Sequence, residues 1–464
     1  MRFRVGREAL GEAVAWVARA LPSRPVVPVL AGLLLEAGDG LVLSCFDYEV
    51  SARVRLDADV AEPGTALVPG RLLAEITRSL PSQSAEFTST ADAVNLTCGS
   101  AEFMLVTLSA EDFPALPEPL AAAGTVDGGL LAAAAGQVVP AASRDDTLPM
   151  LTGVCMDFDG DAITLAATDR YRLAVREIPW APADPAVRAA ALVPARTLAD
   201  VARTMAAGVP VTIAFGASGA GSDSAGATPR GSDRRGSGEP RPAEGMISFE
   251  GGGRRLTARL IAGEFIRYRS RFPAEFGCRA EVLAGPFTEA VRRVSLVAER
   301  ASPVRLAFGS GVVVVEAQAE GRARAVETVA ADFEGDEPVI SFNPHYLLDG
   351  LGAVAVEATA RAVAPPGDGN SEAASASSGR IRIEFTSPAK PALITWANDA
   401  KPAAGEQNGS ADGERADPAD GGRPDPADGG RPDPADGIPG AAGGRSGVPA
   451  FRYLVVPLRV PART

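Results

Sequence analysis

The spacing of apolar positions along this chain switches between a period near two and a period near 3.6, and the switch recurs in one order three times. "LVPGRLLAEITRSL" near residue 70, "LVPARTLADVARTM" near residue 195 and "ISFNPHYLLDGLGA" near residue 343 each read as a short apolar strand, a turn and an amphipathic helix. In the first of these helices Leu72, Leu73, Ile76 and Leu80 share one side, and Arg71, Glu75 and Arg78 the other. The stretch before each copy recurs as well: "LVLSCFDYEVSARVRL", "ITLAATDRYRLAVREI" and "VVVVEAQAEGRARAVETV". A further echo links "FMLVTLSAEDFPALP" to "LTARLIAGEFIRYRSRFP". Three divergent copies of one unit predict three similar domains in tandem, at 1–120, 121–280 and 281–464.

Within the first unit, Leu10, Val14, Val17, Ala18 and Leu21 predict a helix over 7–20. "LAGLLLEAGDGLVLSCFDYEVSARVRL" predicts strands joined by a Gly-Asp-Gly turn, and "VNLTCGSAEFMLVTL" a closing hairpin. Helical segments are expected at 70–80, 128–144, 195–207, 286–300 and 344–353. Three inserts break the pattern. Residues 217–245 are rich in Gly, Ser, Arg and Pro, residues 363–379 in Gly, Ala and Ser, and residues 398–449 hold the octad "DPADGGRP" from Asp417 and again from Asp425. Such composition cannot bury a core, so the inserts are expected to be disordered surface loops between strands.

Composition narrows the function. The chain has 464 residues, 46% hydrophobic, enough for sizeable cores. Its net charge of -13 argues against tight, phosphate-dominated nucleic-acid binding over the whole surface. The predicted helices nevertheless carry a small positive excess, and Lys occurs only at Lys390 and Lys401, so Arg supplies it. Cys45, Cys98, Cys155 and Cys278 form no CxxC and stand beside no histidine, which fits buried thiols in a reducing compartment. "MRFRVGREAL" has no apolar core of a signal peptide, and no apolar run reaches the length of a membrane span, so a cytoplasmic protein is expected.

Catalytic chemistry finds little support. The one histidine, His345, opens the third repeated helix and reads as a surface or groove residue. No nucleophile elbow or phosphate-cradling loop is present, and Asp145 and Asp146 fall in a polar loop. No metal site and no cofactor are expected.

The set of motifs "SRPVVPVLAGLLLEA", "TLPMLTGV", "AATDRYRLAV", "EFIRYRSRFP", "FNPHYLLDGL" and "YLVVPLRV", in that order, resembles the β subunit of bacterial DNA polymerase III, the sliding clamp. The resemblance implies an α+β fold of three clamp domains, each with two helices packed on small antiparallel sheets. It also implies a homodimer, closed head to tail into a ring with helices inside, that encircles double-stranded DNA without sequence preference. Implied partners are the DNA polymerase III α subunit, the clamp loader, and other polymerases and repair proteins with clamp-binding motifs; none is a membrane. The location implied is the cytoplasm, at the nucleoid, and the role a non-enzymatic processivity factor. A weakly basic lining suits sliding, because strong phosphate contacts would add friction and salt dependence.

By the same resemblance Arg24, Arg71 and Arg196 face DNA. A peptide groove between the second and third domains takes in Leu151, Thr168, Tyr171, Arg172, Leu173, Ile266, Asn343, Tyr346, Leu454, Val456, Pro457, Leu458 and Arg459. Leu, Val, Pro and Tyr suit its apolar floor, and Thr, Asn and Arg suit a peptide's polar groups. The chain departs from the family pattern at Ile266, usually Pro, at Arg271, usually apolar, and at Val456, usually Met; its tail also runs past Val460. The alternative reading is a diverged second clamp acting as an interaction module for specialised or repair polymerases.

Overall fold

Each repeat runs strand, helix, a meander of strands, helix and a closing group of strands. The computed structural model describes residues 1–205, 208–216, 241–242, 245–298, 302–319, 322–336, 338–362, 379–397 and 451–458. The three inserts lie outside the described residues, apart from 241–242, 245 and 379, and so does Arg459.

The helices are α1 (Arg7–Val17), α2 (Gly70–Ser79), α3 (Gly128–Val138), α4 (Ala195–Thr204), α5 (Ala284–Ser295) and α6 (Pro344–Ala362). They pack in pairs, α1 on α2, α3 on α4 and α5 on α6, and α3 also meets α6 across two repeats. In that seam the buried Gln137 Nε2 donates to Ala353 O at 2.9 Å.

Helix ends differ from the sequence pattern. The segment expected as a helix over 7–20 is α-helical to Val17 and tightens into a 3₁₀ turn at Ala18–Ala20. The 128–144 segment does the same, with a 3₁₀ turn at Val139–Ala141 around Pro140, which lacks the N–H to continue the ladder. The fifth helix runs over Ala284–Ser295, earlier than the 286–300 pattern. The sixth continues past the expected 353, since Leu347, Leu351 and Val354 carry one buried stripe onward.

Three sheets hold the described strands. A five-stranded sheet belongs to the first repeat, and its two edges are the Asp59–Glu62 and Ala101–Val106 strands. A nine-stranded sheet crosses from the first repeat to the second, where Arg254–Arg259 pairs antiparallel with Val50–Leu56, Leu256 opposite Ala52. A thirteen-stranded sheet crosses from the second to the third, where Arg172–Pro179 pairs antiparallel with Arg452–Val455, Leu173 opposite Leu454. Backbone hydrogen bonds therefore run unbroken through both junctions.

Two copies keep the same tight turn before the strand that makes the junction. Asp47 Oδ1 accepts the N–H of Glu49 and Val50 at 3.0 and 2.7 Å, and Asp169 Oδ1 accepts those of Tyr171 and Arg172, both at 3.0 Å. The residue after each Asp is left-handed, Tyr48 at φ 72° and Arg170 at φ 81°. The side-chain bonds hold non-glycine residues in a region they rarely enter.

The main core runs between helices and sheets through all three repeats. A second cluster lies elsewhere on the thirteen-stranded sheet, where Cys155, Leu173, Leu192, Tyr268, Leu393 and Leu454 are covered by Ile261, Phe265, Phe272 and Phe276. All four cysteines are buried and free. Burial pushes the Cys45 thiol up to about 12, and burial with the nearby Asp157 carboxylate raises Cys155. No helix among the described residues is long and apolar enough to cross a membrane.

Candidate binding surfaces at the two junctions

The second junction gathers most of the residues expected to form a groove. The Asp169 turn presents Tyr171 and Arg172 at the start of one strand, and the chain leaving Arg452–Val455 runs beside it, Val456 N donating to Tyr171 O at 2.8 Å. Two residues on, Leu458 N donates to Ser341 O at 2.7 Å, which ties this segment to the strand preceding α6. Asn343 caps α6: its Oδ1 accepts the N–H of His345 at 2.9 Å and of Tyr346 at 3.4 Å, with Pro344 at the first helical position.

Arg172 is the hub of this surface. Its guanidinium lies 4.6 Å from the centroid of the Tyr346 ring, with Nε 3.0 Å from Asp169 Oδ2 and Nη1 hydrogen-bonded to Asp349 on α6. Its side chain is only 9% exposed. Burial opposes its charge, but Tyr453, Asp349 and Asp169 outweigh burial and raise its pKa. Tyr171 stacks on Tyr346 with centroids 6.0 Å apart. Burial, then the Asp169 charge, raises the Tyr346 phenol. Thr168 Oγ1 donates to Arg172 O at 2.5 Å, so this hydroxyl braces the turn.

Leu173, Leu454 and Pro457 are buried, Val456 is half-buried and Leu458 is exposed. Leu151 is buried in the 3₁₀ turn Pro149–Leu151, outside the cluster that joins Leu173 to Leu454. Ile266 is exposed on the segment that covers this cluster and lines a different cleft. Pattern reading passed over Tyr453 and Asp349. The Tyr453 hydroxyl donates to Tyr346 O at 2.8 Å. Gly350 makes room for that ring, since a Cβ there would stand 2.5 Å from Tyr453 Cε1. Asp349 shares a face of α6 with Tyr346 at the i, i+3 spacing, a signal present in the sequence.

The first junction gathers the three arginines expected to face DNA. Arg71 Nη2 donates to Pro22 O at 3.0 Å. Arg196 lines a small cleft of about 120 Å³ with Arg19, Pro22 and Ser23, and Arg24 follows exposed in the chain. Among the described residues Arg7, Arg19, Arg24, Arg71, Arg78 and Arg196, on helices or their flanks, form no ion pair. Other arginines are paired: Arg53, Arg188, Arg255, Arg279, Arg324 and Arg382 on strands and Arg203, Arg292 and Arg293 on helices each meet an Asp or Glu, while Arg55 and Arg305 on strands do not. Arg144 is the repeat counterpart of Arg24, since "SRPVVPVLAG" and "SRDDTLPMLTG" align with one added residue. It too has no ion-pair partner, and the repeat alignment was the signal that could have found it.

Comparison with known proteins gives three consecutive matches. Residues 1–117 match the N-terminal domain of the DNA polymerase III beta subunit, residues 125–266 its central domain and residues 269–360 its C-terminal domain. The chain is 47% identical over 396 residues to the beta sliding clamp of Streptomyces coelicolor, covering 85% of this chain and 94% of that protein. It is 42% identical over 352 residues to the beta sliding clamp homolog GriR of Streptomyces muensis, covering 76% and 88%. The fold is similar to that of a Pseudomonas aeruginosa DNA polymerase III beta subunit bound to griselimycin, with a TM-score of 0.72 at 22% identity, covering 99% of this chain and 100% of that one.

Proposed function

The chain belongs to the DNA polymerase III beta subunit family, and from that premise we propose that it is a sliding clamp, holding a replicative polymerase on duplex DNA by encircling the DNA. The reading carries no reaction step; it places the protein in the bacterial cytoplasm, at the nucleoid, with domain boundaries near residues 120 and 280.

One observation carries the ring. Both internal junctions have the same form: the strand after the turn in one repeat pairs with the last strand of the next repeat. A third junction of this form needs the Ala323–Glu334 strand and the Ala101–Val106 strand, which are the turn-following strand of the third repeat and the last strand of the first. Among the described residues both have a free side. Ala101–Val106 ends its sheet, and Ala323–Glu334 pairs with Val312–Ala319 along 323–330 and with Cys278–Leu283 only at 331–334. Exposed edges are normally short, charged or covered. Here Met104 and Val106 are 69% and 65% exposed on one edge, and Val326 is 48% exposed on the other. Pairing these edges between two copies, head to tail, repeats the junction and closes a six-domain ring.

The unpaired arginines of the helices supply a mobile, sequence-independent attraction for phosphates, with Arg24, Arg71 and Arg196 its members at the first junction and Arg144 a further one. The overall negative charge leaves the rest of the surface unattractive to DNA. Tyr171, Arg172, Tyr346 and Leu458, over the apolar base of Leu173 and Leu454, receive a short peptide from the DNA polymerase III α subunit. The clamp loader and other polymerases or repair proteins with such motifs compete for the same place. The identity to the Streptomyces coelicolor clamp, above that to the homolog of Streptomyces muensis, favours the replicative role over a specialised second copy.

The test is topological. Loaded by its clamp loader and ATP onto a nicked circle, the protein stays bound, and cutting the circle releases it. Equal retention on circular and linear DNA would overturn enclosure.

A further inference from the structure

A second cleft among the described residues is separate from the peptide groove. Its volume is about 800 Å³, within the range of about 300–1,000 Å³ that ligand pockets occupy. It lies between the 259–270 segment and the strands Arg188–Pro194 and Gly153–Asp159. Of the expected groove residues, Ile266 alone lines it. Ala190, Leu192, Ile261 and Phe265 give apolar walls.

One wall is braced from inside. Asp157, 6% exposed, accepts the Tyr268 hydroxyl at 2.6 Å on Oδ2 and the Cys155 thiol at 3.3 Å on Oδ1, and Arg269 stands 3.5 Å away. At the rim Arg259 pairs with Glu49 at 3.4 Å and Arg269 with Asp157 at 3.5 Å, so the open face of the cleft is chiefly apolar. An apolar pocket of this size fits an apolar side chain of a peptide.

The cleft adjoins the groove through one apolar cluster. Cys155, Leu192 and Tyr268 on the cleft side belong to one apolar cluster with Leu173 and Leu454 on the groove side. In the sheet, the Gly153–Asp159 strand is two places from Arg172–Pro179, with Ala162–Thr168 between. Two strand spacings are about 10 Å, which about three residues of extended peptide cross. The neighbouring insert is a poor occupant, although Gly245 at its end lines the cleft. Residues 217–240 contain no Val, Leu, Ile, Met, Phe, Tyr or Trp, hence nothing to fill an apolar pocket.

We propose that this cleft is a second subsite for partner peptides, taking an apolar residue that lies about three or more residues outside the motif seated in the groove. The inference rests on the groove reading above.

The probes are two peptides from the α subunit of the same organism's polymerase III: its clamp-binding motif alone, and a longer segment with that motif between its native flanks. Binding is read by fluorescence anisotropy on the full-length protein. The longer peptide binds about tenfold tighter or more, the factor expected of one further buried apolar side chain net of its ordering. Ala190→Trp, which fills the cleft, abolishes that gain and leaves the short peptide unchanged. Equal affinity of the two peptides for the wild type, or a gain that survives Ala190→Trp, overturns the second subsite while the groove stands. If neither peptide binds the wild type, the groove reading falls and this inference with it.

Discussion

Asp169 performs two functions, and they can be separated. Its Oδ1 holds the left-handed turn through two backbone N–H groups, and its Oδ2 pairs with the nearly buried Arg172. Asp169→Asn keeps an acceptor for the turn and loses the charge; a cost of about 1–2 kcal/mol is expected in urea unfolding. Asp169→Ala loses both and should cost about 2–4 kcal/mol, with Arg172 left beside Asp349 alone. Tyr453 gives a pH signature. Burial raises its phenol most, and Asp349 and Asp169 add to this against the pull of Arg172. In the unfolded chain a phenol titrates near about 10. Below that pH both states keep the proton and the stabilisation is complete. Above it the unfolded state loses its proton first, so stability falls as pH rises. Tyr453→Phe should flatten the loss of Tm between about pH 10 and 11.5. At neutral pH it should cost about 1 kcal/mol through the lost bond to Tyr346 O. The raised Tyr268 phenol leaves part of the slope in place.

At the scale of elements, α6 and the last strand fit because one residue between them has no side chain. Gly350→Ala would press a methyl group onto the Tyr453 ring, and a loss of about 1–3 kcal/mol is expected in thermal unfolding. Peptide affinity should fall with it, because Tyr346 and Tyr453 are hydrogen-bonded neighbours. Leu173→Ala tests the groove floor more directly: peptide binding should weaken about tenfold or more, in keeping with the loss of a buried leucine at a binding centre. The free edges make a different prediction. Met104→Asp with Val106→Asp places charge on the Ala101–Val106 strand without touching a core residue, since both are exposed. Light scattering should then show monomers with an unchanged Tm at concentrations where the wild type is dimeric, and loading onto circular DNA should fail.

For the molecule as a whole, charge placement matters more than its sum. A protein of net charge -13 attracts DNA only where unpaired cations lie together. At the first junction Arg19, Arg24, Arg71 and Arg196, which form no ion pair, supply such a place. Removing Arg24, Arg71 or Arg196 singly should lower the salt dependence of binding to duplex DNA by about one unit of slope or less, equally for any sequence. Retention on a closed circle should scarcely change, because a ring needs no adhesion. A large loss of retention from one such substitution would show adhesion rather than enclosure.

Local pattern decided a good deal. The repeats, the strand order within them, the turn at Gly38–Gly40 and the hairpin of Ala93–Cys98 with Ala101–Val106 all follow from periodicity and turn chemistry, which act over a few residues. The same repeats, through their resemblance to one family, identified Thr168, Arg172, Leu173, Asn343, Tyr346 and Leu454 as residues of one neighbourhood. Pattern alone could not show that Arg172 pairs with Asp349, 177 positions away, or that Gly350 makes room for Tyr453. It could not join the sheets across both junctions or leave two complementary edges free. Those are contacts between residues far apart in the chain, fixed by packing and by the pairing of backbone groups. A hydrogen-bonded edge is also indifferent to side-chain identity, so only the folded backbone decides which strands remain unpaired.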